Sequence, residues 1–195
     1  MNRQISFGQY RAIDLTFLAA ALAVSQAAIS IAASTVYADQ LYVVSTVAAI
    51  TALVMMRWGF WAAIHAVLGG LVFVALARGG WQQYLIYGVG NLFSLLAMLL
   101  IGVFGKEKIR QNVLLTMLFA LCTQLFMQLG RAGIACLLGY GIDACLGFIT
   151  TDALSILFTV CILWVARRVE GLFEDQKHYL LRVQREQQDE GREPN

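Results

Sequence analysis

The stretch QLFMQLGRAGIACLLGYG, Gln124 to Gly141, contains the features that determine how this chain folds. It is apolar enough for a membrane-spanning helix, and it ends in two glycines, Gly139 and Gly141, which favour a tight reversal of the chain. It also contains one arginine, Arg131. This arginine either ends a span or lies inside one because something must be bound there, and the rest of the sequence bears on that choice.

The remainder of the chain is similarly apolar. Of its 195 residues, 59% are hydrophobic and 13% are charged, and the mean hydropathy is +0.69. Such a composition is typical of an integral membrane protein that crosses the bilayer several times. Apart from the segment Lys106–Arg110, residues 12 to 166 include seven charged side chains, which are Asp14, Asp39, Arg57, Arg78, Arg131, Asp143 and Asp152.

Each span needs about 20 apolar residues, and we expect an all-α bundle of about six transmembrane helices in a domain of residues 1–168. The first run is too long for a signal peptide and lacks a clear cleavage site, so we expect it to be retained. Arg57 separates the second span only weakly from the third. The expected spans are Leu15–Val36, Leu41–Met56, Trp58–Ala77, Trp81–Phe104, Val113–Leu138 and Ala144–Ala166.

The distribution of basic residues predicts the orientation of the bundle. With both termini in the cytoplasm, 12 of the 14 lysines and arginines fall in cytoplasmic segments, and only Arg78 and Arg131 fall in the outer half. This division follows the positive-inside rule. We therefore expect a multi-pass membrane protein with both termini in the cytoplasm, and with Asp14 and Asp39 at span ends in contact with water.

Residues 169–195 form a charged cytoplasmic tail. Its apolar residues recur at near-heptad spacing from Val169 to Val183, which predicts a short helix with one modest apolar stripe. The tail is either a solvated helical extension of the last span or a docking surface for a partner.

Polar side chains follow one face of each of three predicted spans, at helical spacings of three and four residues. Arg131 and Asp152 each lie about ten residues, or about 15 Å of helix, from the centre of the glycine turn, and so at one depth. Ionisable groups inside spans usually pair or line a wet cavity. The candidate residues are Gln83, Tyr84, Tyr87 and Asn91 in the fourth span, Gln124, Gln128 and Arg131 in the fifth, and Asp152, Ser155 and Thr159 in the sixth.

Two interpretations of these stripes remain open. The Arg131 and Asp152 charges either form an ion pair that holds two helices together, or they belong to a solute site. In the second case we expect a pocket open to the outside, with Trp81 and tyrosines as walls and amides orienting the solute. Arg131 then attracts an anionic or carbonyl group, and Asp152 fixes Arg131 or accepts a hydrogen bond from the solute.

The first span has small residues at every fourth position, Ala19, Ala23 and Ala27, which let another helix approach closely. That helix belongs either to this protein or to another membrane subunit. Cys136 and Cys145 flank the glycine turn and can pair if the outside is oxidising. The sequence contains no catalytic, nucleotide-binding or metal-binding motif. We therefore expect no enzyme activity, cofactor or metal, and any active transport needs another subunit or an ion gradient.

The stretches AAALAVSQAA, MMRWGFWAAIHAVLGG and YLIYGVGNLFSLL, within Ile13 to Arg168, resemble the substrate-binding S components of energy-coupling factor (ECF) transporters. The resemblance implies that the chain captures a vitamin or related micronutrient at the outer face. It also implies a transmembrane coupling protein, which contacts Ala19, Ala23 and Ala27, and two ATPase subunits that drive uptake. Membrane lipid surrounds such a protein, and nucleic acid is no partner. The alternative is a non-catalytic membrane scaffold of a cell-envelope complex.

Overall fold

The computed structural model describes residues 6–36 and 44–190, and every regular element in these two ranges is helical. This confirms the expected all-α fold. Short 3₁₀ segments, Gly59–Trp61 and Leu92–Ala97, join α2 to α3 and α4 to α5. The α-helices are α1 (Phe7–Val36), α2 (Val47–Trp58), α3 (Ala62–Leu76), α4 (Trp81–Asn91), α5 (Met98–Phe104), α6 (Lys106–Gln111), α7 (Val113–Leu137), α8 (Ile142–Thr150), α9 (Ala153–Ala166) and α10 (Gln176–Glu190).

Five helical segments in the described ranges are long and apolar enough to cross a membrane. Their length and composition are those of a multi-pass membrane protein. The segments are Phe7–Ala32, Val47–Leu76, Trp81–Phe104, Val113–Leu137 and Ile142–Ala166.

The segment Val47–Leu76 is a hairpin of two helices. A straight helix would separate Val47 from Gly69 by about 33 Å, yet a Cβ atom added to Gly69 would lie 2.6 Å from a methyl group of Val47. The chain reverses after Trp58 at Gly59, whose φ of +63° suits glycine. The described residues therefore form six apolar limbs, in agreement with the expected number.

The second limb is shorter than the predicted span Leu41–Met56. Helix α2 begins at Val47, and residues 41–43 lie outside the described residues. Its 12 residues extend about 18 Å, less than the roughly 30 Å of a hydrocarbon core. Ten of them are buried, so α2 is an inner helix surrounded by the other limbs.

Glycines allow α4 to pack closely against α3 and α7. A Cβ atom on Gly90 would lie 2.8 Å from the Cα atom of Arg131, and one on Gly130 would meet the Gly90 carbonyl oxygen. Gly70 likewise faces the carbonyl of Tyr87. Small residues at such crossings bring helix backbones together. The next residue of α4, Asn91, consequently lies beside Arg131.

Arg57 joins several elements at one end of the bundle. We call the end formed by Arg57, α6 and residues 167–182 the basic end. The side chain of Arg57 is buried, its Nη2 lies 2.6 Å from Asp14 Oδ1, and its Nε donates to Asp14 Oδ2 at 2.9 Å. Its Nη1 donates to the carbonyls of Gly171 and Leu172. Asp14 lies near the start of the first span as expected, where its carboxylate is held by Arg57 and its side chain is 16% exposed; Asp39 lies outside the described residues.

The C-terminal tail is not a continuation of the last span, so the first of its two interpretations, a helical extension, is wrong. Helix α9 ends at Ala166, and the chain reverses at Gly171, where φ is +71°. Phe173 is fully buried and packs against Phe119, with 6.5 Å between the ring centroids. Gln176, the first residue of α10, is also fully buried and accepts a hydrogen bond from the Tyr10 hydroxyl at 3.0 Å. The start of the tail is thus part of the packed basic end.

Candidate functional site

Arg131 lies inside a span, six residues before the end of α7. Its Nη1 is 2.9 Å from Asp152 Oδ2, and the two side chains are 5% and 4% exposed. Its Nε donates a 2.7 Å hydrogen bond to Asn91 Oδ1. The prediction that Arg131 and Asp152 share one depth is therefore confirmed, and α4 contributes Asn91 at the same level.

Asp152 occupies a break between two helices. The spacing predicted one continuous helix through Asp152, Ser155 and Thr159. In the structure α8 ends at Thr150 and α9 begins at Ala153, so Asp152 lies between the two helices. Its Oδ2 accepts hydrogen bonds from Arg131 and, at 2.8 Å, from Gln124 Nε2. Its Oδ1 accepts one from the Ser155 hydroxyl. The break leaves Asp152 at the centre of the polar contacts.

The predicted polar face of α7 is present and buried. Gln124, Gln128 and Arg131 are all at most 4% exposed. Gln124 Oε1 accepts a hydrogen bond from the Thr159 hydroxyl at 3.3 Å, and Gln128 Nε2 donates a long one, 3.5 Å, to the Asp152 carbonyl. We call Asn91, Gln124, Gln128, Arg131, Asp152 and Ser155 the Arg131 cluster.

Of the aromatic residues that were expected to line the site, Tyr87 contacts the Arg131 cluster. The guanidinium carbon of Arg131 lies 4.8 Å from the centroid of the Tyr87 ring, within cation–π range. Tyr84 is half-buried and makes no hydrogen bond to the cluster, because it lies about 10 Å of helix beyond Asn91. Gln83 is exposed beside Gly79, and Trp81 is 67% exposed. These three residues are not brought into the cluster.

Gln26 and Ser45 extend the cluster towards α1, which the sequence interpretation missed. The backbone nitrogen of Ser45 donates to the Ser155 hydroxyl at 2.9 Å, and its own hydroxyl donates to Gln26 Oε1 at 3.1 Å. Both residues are buried. The available signal was Gln26 itself, an amide in the middle of an apolar span.

The cluster is closed, so the expectation of a pocket open to the outside is not met by the described residues. Two surface cavities, of about 500 and about 360 Å³, are lined by residues of the basic end and of the start of α1.

Some hydrogen-bonding groups of the cluster have no partner among the described residues. Arg131 uses three of its five N–H groups, on Asn91, Asp152 and the sulfur of Met127. Gln26 Nε2 and Gln128 Oε1 are buried without a partner among the described residues.

Comparisons with protein-family models, with curated proteins and with solved structures find no match to this chain. Within the described part of the chain, no three His, Cys, Asp or Glu side chains are grouped so that they could hold a metal ion. The chemistry of the Arg131 cluster is therefore that of hydrogen bonds, one arginine and one carboxylate.

Two contacts hold the turn next to the cluster. Cys136 at the end of α7 and Cys145 in α8 form a disulfide, with Cα atoms 6.1 Å apart, within the usual range. The Tyr140 hydroxyl donates to Gln82 Oε1 at 3.2 Å and so connects the turn to α4. On α1, Ala19, Ala23 and Ala27 are half-buried, so this face is partly used by the protein's own packing.

Proposed function

We propose that the chain is the membrane-embedded substrate-binding subunit of an ECF-type importer. Its substrate is a vitamin or related micronutrient that carries a carboxylate or carbonyl group. The observation that carries the proposal is a buried arginine that uses three of its five N–H groups on described residues, beside two amide atoms with no partner among those residues. Such groups are costly to bury in a span, and they are usually retained for binding.

The contacts of Arg131 suit it for recognising a planar acceptor. Asn91 and Asp152 hold the guanidinium from two sides, and the Tyr87 ring covers a face of it. A guanidinium fixed in this way loses little side-chain freedom when it binds a carboxylate with two parallel hydrogen bonds. In this proposal Gln128 Oε1 accepts a hydrogen bond from the substrate, and Asp152 keeps Arg131 oriented.

Substrate entry requires the closed cluster to open. The break between α8 and α9 lies directly at Asp152, and α8 is only nine residues long. We place the opening at this break, because α8 itself stays tied to the end of α7 by the disulfide between Cys136 and Cys145. Substrate release towards the cytoplasm is driven by a transmembrane coupling protein with two ATPases. Both termini then face the cytoplasm, and the Arg131 cluster faces the outside of a bacterial cytoplasmic membrane.

The first experiment is to identify a bound molecule. Full-length protein is purified in a mild detergent, denatured, and the released small molecules are analysed by mass spectrometry. The identified compound is then titrated against the parent, Arg131→Lys and Gln83→Leu proteins. Because lysine cannot form the bidentate contact, we expect at least about tenfold weaker binding for Arg131→Lys. Gln83 lies outside the cluster, so Gln83→Leu should bind as the parent does.

Equal affinity of the parent and Arg131→Lys proteins, both folded, would remove Arg131 from the site. Copurification from native membranes provides the second measurement. The proposal expects a coupling protein and two ATPases in stoichiometric amounts. Cell-envelope synthesis proteins in their place would contradict it.

A second candidate function is a membrane scaffold of a cell-envelope complex. It is favoured by the charge balance of the cluster, since Asp152 accepts hydrogen bonds at both carboxylate oxygens from groups of this chain. An ion pair of this kind can have a purely structural role, in which it fixes the positions of the helices. This function predicts no retained small molecule, and loss of partner assembly when the Arg131 to Asp152 contact is broken.

A further inference from the structure

The cavity of about 500 Å³ lies where two candidate spans end at the basic end. Its lining includes Phe104, the last residue of the third candidate span, and Gln111, two residues before the fourth. Lys106, Lys108 and His178 supply cationic or potentially cationic groups, and Glu107 and Asp175 supply carboxylates. By its position between span ends, the cavity is at the level of lipid headgroups.

The two carboxylates of this cavity are already paired. Glu107 accepts hydrogen bonds from Arg110 at 2.8 Å and from Gln111 at 2.6 Å. Asp175 accepts one from Lys106 Nζ at 2.6 Å. The hydrogen bonds from Arg110 lower the pKa of the Glu107 carboxyl more than its partial burial raises it. The negative charges are therefore neutralised by contacts within the protein.

Two positive charges beside the cavity have no such partner. Lys108 is exposed and makes no ion pair with any described residue. Arg167 does not line the cavity itself, but its Nη2 donates at 3.0 Å to the backbone carbonyl of Gln111, which does line it.

Apolar surface continues from the cavity along the spans. Val103 precedes Phe104 and is 74% exposed, and Leu99 lies one turn further along α5 and is 68% exposed. On the other side, Leu114 in the first turn of α7 is 75% exposed. A ligand that fits has an anionic head for Lys108 and Arg167 and hydrocarbon chains for this surface.

We propose that this cavity binds the phosphate headgroup of an anionic phospholipid, with Lys108 and Arg167 as its main contacts. The acyl chains lie against Leu99, Val103 and Leu114. Basic pockets between transmembrane helices are suited to such headgroups. The site is separate from the Arg131 cluster and does not depend on the proposed function.

The test uses full-length protein in detergent, stripped of lipid and titrated with phosphatidylglycerol or phosphatidylcholine, with bound lipid counted by native mass spectrometry. The variant pair is Lys108→Gln/Arg167→Gln. The matched control, Lys177→Gln/Arg185→Gln, removes the same charge from exposed positions of α10 outside this cavity. We expect tight phosphatidylglycerol binding by the parent, about tenfold or more weakening in the first variant, and little change in the control. Lys108→Gln alone changes an exposed residue without a partner, and so provides a folded variant if the double one fails.

Four outcomes would overturn the proposal. Equal weakening by both double variants would show an unspecific effect of charge. Phosphatidylcholine binding as tight as phosphatidylglycerol binding would show an apolar contact without headgroup recognition. Displacement of the lipid by millimolar inorganic phosphate would show a site for free phosphate. Continued binding by Lys108→Gln at the parental level would also remove Lys108 from the site.

Discussion

The guanidinium of Arg131 lies 2.9 Å from the carboxylate of Asp152, although 21 positions and a reversal of the chain separate the two residues. The reversal at Gly139 to Gly141 brings α7 and the junction of α8 and α9 together at one level. In a medium of low dielectric constant, each charge depends on the other more than it would at a surface. Loss of one partner therefore leaves the other as an uncompensated buried charge, whether or not the pair also serves binding.

Removal of one member of this pair should destabilise the protein strongly. Asp152→Ala leaves Arg131 as an uncompensated buried charge, so we expect the free energy of unfolding to fall by about 3–5 kcal/mol. The double variant Arg131→Met/Asp152→Leu removes both charges and should be less destabilised than Asp152→Ala. Unfolding of each protein in detergent is measured by titration with a denaturing detergent, followed by tryptophan fluorescence.

A double-mutant cycle provides the decisive comparison for this pair. If the losses measured for Arg131→Met and Asp152→Leu simply add up in the double variant, the two side chains do not interact energetically. Such additivity would contradict the contact.

Helical periodicity and hydropathy predict most of this fold, because span length and the spacing of polar residues are local properties of the chain. They place Arg131 inside a span, and they put Gln124 and Gln128 on its face. Depth relative to the glycine turn also predicts its approach to Asp152. These predictions need only the rise of a helix and the position of one reversal.

Contacts that depend on tertiary packing cannot be predicted from such local properties of the sequence. The sequence shows Arg57 only as a weak separator of the second and third spans, because nothing local shows that Asp14 and the Gly171 carbonyl surround it. It leaves open whether the tail extends the last span, because the apolar spacing of Phe173 is equally consistent with a helix and with insertion under the bundle. The participation of Ser45 depends on the path of the chain before α2.

The closest approach of α4 to α7 gives a prediction with an internal control. A Cβ atom on Gly130 would meet the Gly90 carbonyl and the ring of Phe93, whereas one on Gly133 would meet nothing within 4 Å. We expect Gly130→Ala to destabilise the protein by about 1–3 kcal/mol or more, because α4 must move away. Gly133→Ala should be neutral or stabilising by up to about 1 kcal/mol, because alanine favours the helix. Thermal unfolding in detergent measures both, and equal effects would contradict the packing of α4 on α7.

Arg57 should hold the start of the tail against the bundle. Arg57→Ala removes the hydrogen bonds to the Gly171 and Leu172 carbonyls and leaves Asp14 without its cation. We expect faster proteolytic cleavage between residues 167 and 182, with the spans still resistant. Arg185→Ala is the control, because Arg185 is exposed and makes no ion pair with a described residue. Unchanged cleavage rates in Arg57→Ala would show that Phe173 and Gln176 suffice to hold the segment.

The contact of Lys106 with Asp175 should make the attachment of α10 depend on pH. Partial burial raises the pKa of Asp175, but the hydrogen bond and the charge of Lys106, together with the backbone hydrogen bond and charge of His178, outweigh it. The net pKa lies below the ordinary 3.8. A lowered pKa in the folded protein means that the pair stabilises fully above the unfolded pKa. This stabilisation is lost as the pH falls through 3.8 towards the folded pKa.

Because both side chains are about a quarter exposed, the effect should be modest, up to about 1 kcal/mol. Hydrogen exchange of residues 176–186, measured from pH 6 to pH 3, should show α10 losing protection in the lower part of this range. Other carboxylates titrate there too, so the quantity to compare is the difference between the parent and Asp175→Asn proteins. That difference should be present at pH 6 and shrink as the pH falls below 3.8. A difference that stays constant over the whole range would show that the charge of Asp175 does not hold α10.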